Sequence, residues 1–425
     1  MDIAIIGAGL TGLSAGYELA KRGFIVNIFE NKRVGGLASS YQIGNYYIER
    51  YYRHIFRSDD AILQLISDLG LNDNLEWFKG TTGYHIEGKM YPLNTPSEIL
   101  KFPYLSLSDK IKLGLLVLRS RKKNLEELDD ITAKELIFKQ CGESLYRNFF
   151  EPLLRSKFGD NKDEVSAAWL LSRIKIRSDR SLSGERLGYI RGGFQLLIKR
   201  IINKIRDKRC EIFDKKPVTY IVTENKKVKG IKTEDGFIPC KNVISTVSPV
   251  ILNNILSIPL FSKNIKYQGT ACALFGLENK LMEGIYWLNI KADVPFGAVI
   301  EHTNFAPIED YGEHLVYVTS YFQDINDSLW RMSEEKVINL YLRGLKKLFP
   351  SFDEKEIRWW KLSRDFDTGP IYEINFRNKV LPYKTKIRGL YLAGMFSPPN
   401  YPERSMNGSI KAGFECAKVI ANGQP

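Results

Sequence analysis

The opening of the chain constrains its fold more than any other stretch. Asp2-Ile3-Ala4-Ile5-Ile6 reads as a buried strand, and Gly7-Ala8-Gly9-Leu10-Thr11-Gly12 follows at once. Leu13, Gly16, Leu19 and Ala20 then recur at helical spacing through Arg22, and Gly23 ends the helix. Ile25–Phe29 makes a second strand that ends at Glu30. A G-x-G-x-x-G alone is weak. Placed between a strand and a helix, with an acid closing the next strand, it marks a dinucleotide-binding βαβ unit. Gly7 permits the tight turn, Gly9 the approach of a pyrophosphate, and Gly12 the close packing of helix on strand. Leu10 and Thr11 bring free N–H groups at the positive end of the helix to the phosphates. Glu30 stands where a carboxylate accepts ribose hydroxyls, and it would repel a 2′-phosphate.

Gly12-Leu13-Ser14-Ala15-Gly16 also matches G-x-S-x-G. A nucleophile elbow places its Ser in the turn directly after a strand. Ser14 falls inside the helix, so the match reflects small residues packing that helix. At 425 residues the chain predicts two domains. Its net charge of +13 favours an anionic partner such as cofactor phosphates, a phosphorylated substrate or an anionic membrane, or simply a solvated basic surface. The absence of an RNP motif, zinc finger or long Lys/Arg run argues against nucleic acid. Cys141, Cys210, Cys240, Cys272 and Cys416 are odd in number and widely spaced, which suits free thiols in a reducing cytosol. No signal-peptide pattern precedes the first strand, so a cytoplasmic location is expected. Val243–Phe261 lacks charges, but Pro249, Asn253, Asn254 and Pro259 interrupt it, against a transmembrane helix. No carboxylate cluster or H-E-x-x-H suggests a metal.

The segments that follow suggest which dinucleotide is bound. Glu30-Asn31-Lys32-Arg33-Val34-Gly35-Gly36-Leu37-Ala38-Ser39 resembles the extended fingerprint of glutathione-reductase-like flavoproteins. At the other end, Gly389–Gly394 reads as a strand ending in Gly. It leads into Glu403-Arg404-Ser405-Met406-Asn407-Gly408-Ser409-Ile410-Lys411-Ala412-Gly413 and a helix. This closing element is similar to that of FAD-dependent amine oxidases, protoporphyrinogen oxidases and carotenoid desaturases. Arg191-Gly192-Gly193-Phe194-Gln195 and Lys216-Pro217-Val218 resemble middle segments of the same superfamily. The resemblance implies FAD, bound by Gly7, Gly9, Leu10, Thr11, Gly12, Glu30, Asn31, Arg33, Gly35, Gly36, Leu37, Ala38, Ser39, Val218, Gly394, Met406, Asn407, Gly408, Ser409 and Ile410. Arg33 would flank the phosphates and Ser39 donate to one. Val218 would lie by the adenine, and N–H groups near Gly408–Ile410 would meet the flavin ring. Cys416 lies too far along the last helix for a flavin thioether, so non-covalent FAD is expected.

The fold expected is α/β: a discontinuous Rossmann-like FAD-binding domain (1–95, 190–260 and 380–425), a helical subdomain (96–189), and an α+β substrate domain with its sheet and helices (261–379). Candidate substrate-side residues are fewer. Glu49-Arg50-Tyr51-Tyr52-Arg53-His54-Ile55-Phe56 is similar to the His-bearing loop of UDP-galactopyranose mutases, which makes His54 the candidate catalytic residue beside the flavin, or a structural histidine holding its loop. The mutases' C-terminal acidic pattern is not matched. His302, Trp359 and Tyr372 are candidate pocket residues, against their reading as strand end and core. Phe102–Lys123, apolar and ending in Arg119-Ser120-Arg121-Lys122-Lys123, reads as a peripheral membrane helix or as a helix docked on the substrate domain. The resemblance implies an FAD-dependent oxidoreductase that takes a hydride from a bulky small-molecule substrate, amphiphilic, isoprenoid, porphyrinogen or amine-like, and passes electrons to oxygen or another acceptor. The alternatives are a non-redox, mutase-like isomerase of sugar nucleotides and a non-catalytic FAD-binding scaffold.

Overall fold

Five short apolar segments form one parallel sheet in the computed structural model, which describes residues 1–121, 124–177, 184–257, 259–261 and 265–423. Their spatial order is Leu390–Leu392, Asn242–Ser245, Ile3–Ile6, Val26–Phe29 and Glu211–Phe213. Ile5 sits opposite Ile244 on one side and Ile28 on the other. All four residues of Ile3–Ile6 are buried, as a strand covered on both faces requires.

Helix Leu10–Lys21 packs against helix Met406–Ala421 almost backbone to backbone. A Cβ on Gly413 would stand 2.1 Å from Ser14 Oγ and 2.5 Å from the Thr11 carbonyl oxygen. The Ser14 hydroxyl donates to the carbonyls of Thr11 (3.1 Å) and Ile410 (3.2 Å). Ser14 is therefore a packing residue inside a helix. Helix Phe194–Arg206 buries Phe194, Leu197, Ile198, Ile201 and Ile205 on one face, the spacing of an amphipathic helix. Each such side chain contributes roughly 1.5–3 kcal/mol on burial.

The second sheet has seven strands, ordered Ile357–Pro370, Tyr267–Leu277, His314–Phe322, Ala298–Glu301, Trp287–Lys291, Thr82–Ile86 and Lys89–Pro92. Every residue of Tyr267–Leu277 is buried. Helix Glu334–Leu348 covers one face through Val337, Ile338, Tyr341 and Leu345, in one core with Val299, Val316 and Val318. Thr82–Ile86, grouped by the sequence with the cofactor-binding segments, pairs here in parallel with Trp287–Lys291. A strand's own sequence does not name its neighbour in a sheet. A three-stranded meander, Tyr220–Glu224, Lys227–Thr233 and Gly236–Pro239, turns at Asn225 and Lys226, both at positive φ.

Helices Pro96–Lys101, Leu107–Ser120, Ala133–Cys141 and Ala167–Arg177 pack on one another. Thr95 and Thr132 start their helices with capping boxes, and Ser106 caps Leu107–Ser120. Leu113 and Leu116 of that helix are buried, whereas Leu107, Ile111, Leu115 and Leu118 are 68, 57, 43 and 59% exposed. The outward four recur at helical spacing and form one apolar stripe. Lys122 and Lys123 lie outside the described residues. Among the described residues no helix is long and apolar enough to cross a membrane. All five cysteines are buried and unpaired.

Candidate cofactor cleft

Three chain segments meet over the carboxyl ends of the parallel strands, where open α/β sheets bind ligands. In the first turn, Gly7 has φ +100° and a Cβ there would lie 2.4 Å from Thr246 Oγ1. A Cβ on Gly12 would lie 1.9 Å from the Gly7 carbonyl oxygen, so helix and strand meet only without one. Gly9 differs: nothing stands within 4 Å of its ideal Cβ, which leaves the mouth of the turn open. Gly9 precedes helix Leu10–Lys21, and no side chain caps that helix. Its first N–H groups remain available to an anion.

The Gly-Gly segment locks onto this turn. The Gly35 amide donates to the Ala8 carbonyl at 2.8 Å, and a Cβ on Gly36 would press on the Gly9 Cα at 3.2 Å. Glu30 ties both: its carboxylate accepts from the amides of Ala8 (2.8 Å), Lys32 (2.8 Å) and Arg33 (3.2 Å).

The third segment is the start of helix Met406–Ala421. Ser405 caps it, its hydroxyl accepting from the Gly408 amide at 2.8 Å, and the Ser409 amide donates to the Ser405 carbonyl. The amides of Gly408 and Ser409 are thus occupied, and the N–H groups left at this helix end are those of Met406 and Asn407. Gly408 is small for a packing reason, since a Cβ would meet Asn400 Oδ1 at 2.4 Å.

Together these segments enclose a cleft of about 240 Å³. Of the residues singled out in the sequence, Gly7, Gly9, Leu10, Thr11, Glu30, Gly35, Leu37, Ala38, Gly394, Met406 and Ser409 line it. Gly12, Gly36 and Gly408 shape it from behind. Asn31 and Val218 are not among its lining residues. The Ile410 carbonyl is taken by Ser14. Asn407 caps helix Asp60–Asp68 instead, accepting from the amides of Ala61 (2.7 Å) and Ile62 (3.0 Å). The Arg33 guanidinium is engaged by Asp365 and by Ser39 Oγ, and the Ser39 hydroxyl donates to the Gly36 carbonyl at 2.7 Å. Both therefore brace the turn from within.

His54 lies in a half-buried position, with Nδ1 3.2 Å from the Tyr286 hydroxyl and its ring edge-on to Phe56 and Trp287. Burial pushes its pKa down to about 3, and Arg177, Arg173 and Arg53 push the same way. The imidazole is neutral at pH 7. His302, Trp359 and Tyr372 do not line the cleft. His302 is fully buried among Tyr189, Tyr311 and Tyr317, with Nε2 2.9 Å from the Tyr311 hydroxyl. The Trp359 indole donates to Glu313 (2.9 Å), and the Tyr372 hydroxyl to the Asn400 carbonyl (2.7 Å). Sequence reasoning missed Arg53, Thr246, Val247, Ser248, Asp367 and Arg404, which line the cleft. The end of strand Asn242–Ser245 pointed to Thr246–Ser248; Asp367 comes from strand Ile357–Pro370, and Arg53 and Arg404 from distant loops.

The model of the family of flavin containing amine oxidoreductases matches residues 10–421. The chain belongs to that family. Flavin-containing amine oxidase A of Canis lupus familiaris is 27% identical over 273 residues, covering 60% of this chain and 51% of that relative. Coproporphyrinogen III oxidase of Staphylococcus aureus is 29% identical over 193 residues, 42% of this chain and 41% of the relative. The chain spans about half the length of the curated relatives it matches. A solved protoporphyrinogen oxidase-type protein of Exiguobacterium sp. 255-15 shares the fold over 100% of this chain and 99% of its own, with a TM-score of 0.79 at 19% identity. Reduced UDP-galactopyranose mutase does so over 99% and 95%, with a TM-score of 0.77 at 18% identity. The fold expected from the two ends of the sequence is the fold of this family.

The residues present fit a flavin dinucleotide. Open space at Gly9, the uncapped start of helix Leu10–Lys21, Met406 and the Glu30 carboxylate border one cleft.

Proposed function

We propose that this chain is an FAD-dependent oxidoreductase that removes a hydride from a bulky small-molecule substrate, with FAD held non-covalently. The observation that carries the reading is the lock between Gly35 and Ala8 across the open face of Gly9, in one cleft with Met406. When bound, FAD supplies the redox chemistry, and the protein supplies position and electrostatics. Gly9, Leu10 and Thr11 hold the pyrophosphate, Glu30 the ribose, and Gly394, Met406 and Asn407 the ring end. Arg53 and Arg404 raise the positive potential there, so negative charge that develops on the ring side is stabilised. His54, neutral and oriented by the Tyr286 hydroxyl, offers its other ring nitrogen to a substrate proton or hydroxyl. A covalent link is disfavoured, because no Cys lines the cleft and burial pushes the Cys416 thiol up to about 12.

The test is anaerobic titration of the yellow protein with candidate substrates. Bleaching of the visible bands supports the reading and identifies the substrate class. Bands that never bleach, with turnover only after chemical reduction, would replace it by the mutase-like isomerase. Yellow colour released on acid precipitation supports non-covalent attachment, and colour kept in the pellet refutes it.

The apolar stripe Leu107, Ile111, Leu115 and Leu118, beside Arg119 and Arg121, supports a second proposal, peripheral contact with an anionic membrane.

A further inference from the structure

Next to the cleft, cations outnumber carboxylates. Lys157 Nζ and Arg173 Nη1 share a single acid, Glu403, at 3.5 and 3.9 Å. Arg404, the next residue, forms no ion pair among the described residues, and neither does Arg53, whose Nη2 donates to the Leu37 carbonyl while its Nε is buried without a hydrogen-bond partner. Both arginines line the cleft. Glu49, the other acid near Arg53, is spent on the Phe194 amide and the Tyr189 hydroxyl, and burial pushes its pKa up. Lys157, Arg173 and Arg404 thus gather around one buried carboxylate, Glu403, with Arg53 beside Arg404. Arg177 is close enough to His54 to act on it as well.

The walls are aromatic. The Tyr52 and Tyr321 hydroxyls meet at 2.8 Å, and the Tyr52 ring stands edge-on to Trp287 at 4.7 Å. Lys157 lies over the Trp169 ring at 4.7 Å. Tyr52, Arg53, His54, Trp287 and Tyr321 are all half-buried, and Arg53 lines the cleft. Burial with these cations as neighbours pushes Lys157 down to about 8 and Arg53 down to about 10.

Cations gathered at low dielectric without enough counter-charge are unfavourable alone and favourable once an anion arrives. Planar guanidinium groups suit the paired oxygens of a carboxylate or phosphate. A protonated amine would meet more like charge than counter-charge there. We infer that the recess formed by Tyr52, Arg53, Lys157, Arg173, Trp287 and Arg404 binds a substrate through a carboxylate or phosphate carried on a flat apolar body, and that cationic amines are excluded. This rests on the cofactor-site reading above and sharpens its substrate class.

The test uses the FAD-loaded protein at pH 7, titrated with phenyl phosphate, benzoate and, as the cationic control, benzylamine. The readouts are perturbation of the visible flavin bands and quenching of tryptophan fluorescence. Phenyl phosphate or benzoate is expected to bind at least about tenfold more tightly than benzylamine, with affinity falling as salt rises. Arg173→Gln and Lys157→Gln are expected to raise the anion Kd about tenfold or more, and Arg173→Lys by less. Circular dichroism and bound flavin check that each variant folds; should they fail to fold, the order of affinities and the salt response of the unaltered protein decide. Benzylamine binding as tightly as the anions, or folded variants with unchanged anion Kd, would overturn the inference while leaving the cofactor reading intact. Failure to take up FAD at all would instead remove the cofactor reading.

Discussion

The carboxylate of Glu49 accepts a hydrogen bond from the amide of Phe194 at 2.7 Å, although 145 positions separate them. Its other oxygen accepts from the Tyr189 hydroxyl at 2.7 Å, and the Glu49 carbonyl accepts from the Tyr317 hydroxyl at 2.7 Å. One residue so joins strand Tyr46–Glu49, helix Phe194–Arg206 and the seven-stranded sheet. It also accounts for Gly193, which has φ +76° and whose Cβ would stand 2.9 Å from Glu49 Oε1.

Truncating a buried acceptor leaves its donors unsatisfied, at about 1–3 kcal/mol each. Glu49→Ala is therefore expected to destabilise the protein by roughly 2–5 kcal/mol, and Glu49→Gln by less, because an amide oxygen can still accept from Phe194. Equilibrium denaturation in urea measures both. Equal losses for the two variants would show that the amide oxygen cannot replace the carboxylate as acceptor, since Gln fills the same space as Glu.

Gly9 and Gly12 separate folding from cofactor retention. A Cβ at Gly12 collides with the Gly7 carbonyl, whereas one at Gly9 meets nothing in the protein. Gly12→Ala is expected to lower both thermal stability and bound flavin. Gly9→Ala is expected to keep its far-ultraviolet circular dichroism and lose most bound flavin, read from the visible-to-280 nm absorbance ratio. A yellow Gly9→Ala protein would move the pyrophosphate away from this turn.

What could be read from the sequence was contiguous. The unit from Ile3 to Glu30 has its strand, turn, helix and acid in one stretch, and the packing of Gly12 follows from spacing alone. Helix Phe194–Arg206 is local in the same way, its buried Leu197, Ile198, Ile201 and Ile205 recurring at helical spacing. Partners remote in the chain were not legible. Arg33 carries the same charge whether it meets a phosphate or Asp365, and only the sheet position of Asp365 gives it a protein partner. Asn407 likewise sits in a cofactor-like motif yet caps a helix that begins at Asp60. Arg53 and Arg404 reach the cleft from loops with no pattern of their own.

Two buried groups set opposite pH limits. Burial pushes the Glu301 carboxyl up to about 8, while its oxygens accept from the amides of Leu281 and Met282. A raised carboxyl pKa gives stability that is complete below the unfolded value, near 4.3, and is lost as pH rises through about 8. Burial pushes His302 down to about 3, so its contribution is complete above about 6.5 and is lost as pH falls toward 3. Melting temperature is expected to decline toward both ends of this range. Glu301→Gln should flatten the alkaline limb and His302→Phe the acid limb. Unchanged limbs in both variants would assign the pH dependence elsewhere.

The stripe on helix Leu107–Ser120 makes the membrane proposal separable from folding. Leu107, Ile111, Leu115 and Leu118 are each at least 43% exposed, so replacing all four by Ser removes little core. Leu113, buried on the opposite side, is the internal control, and Leu113→Ser should cost stability through lost burial. Apolar area entering the acyl boundary and attraction of Arg119 and Arg121 to anionic headgroups act together on an interfacial helix. Sedimentation with phosphatidylglycerol vesicles is expected to carry down the unaltered protein, and less of it as salt rises. The fourfold Ser variant should bind at least about tenfold more weakly at an unchanged melting temperature. Equal binding by both proteins would mean that the stripe faces something other than lipid.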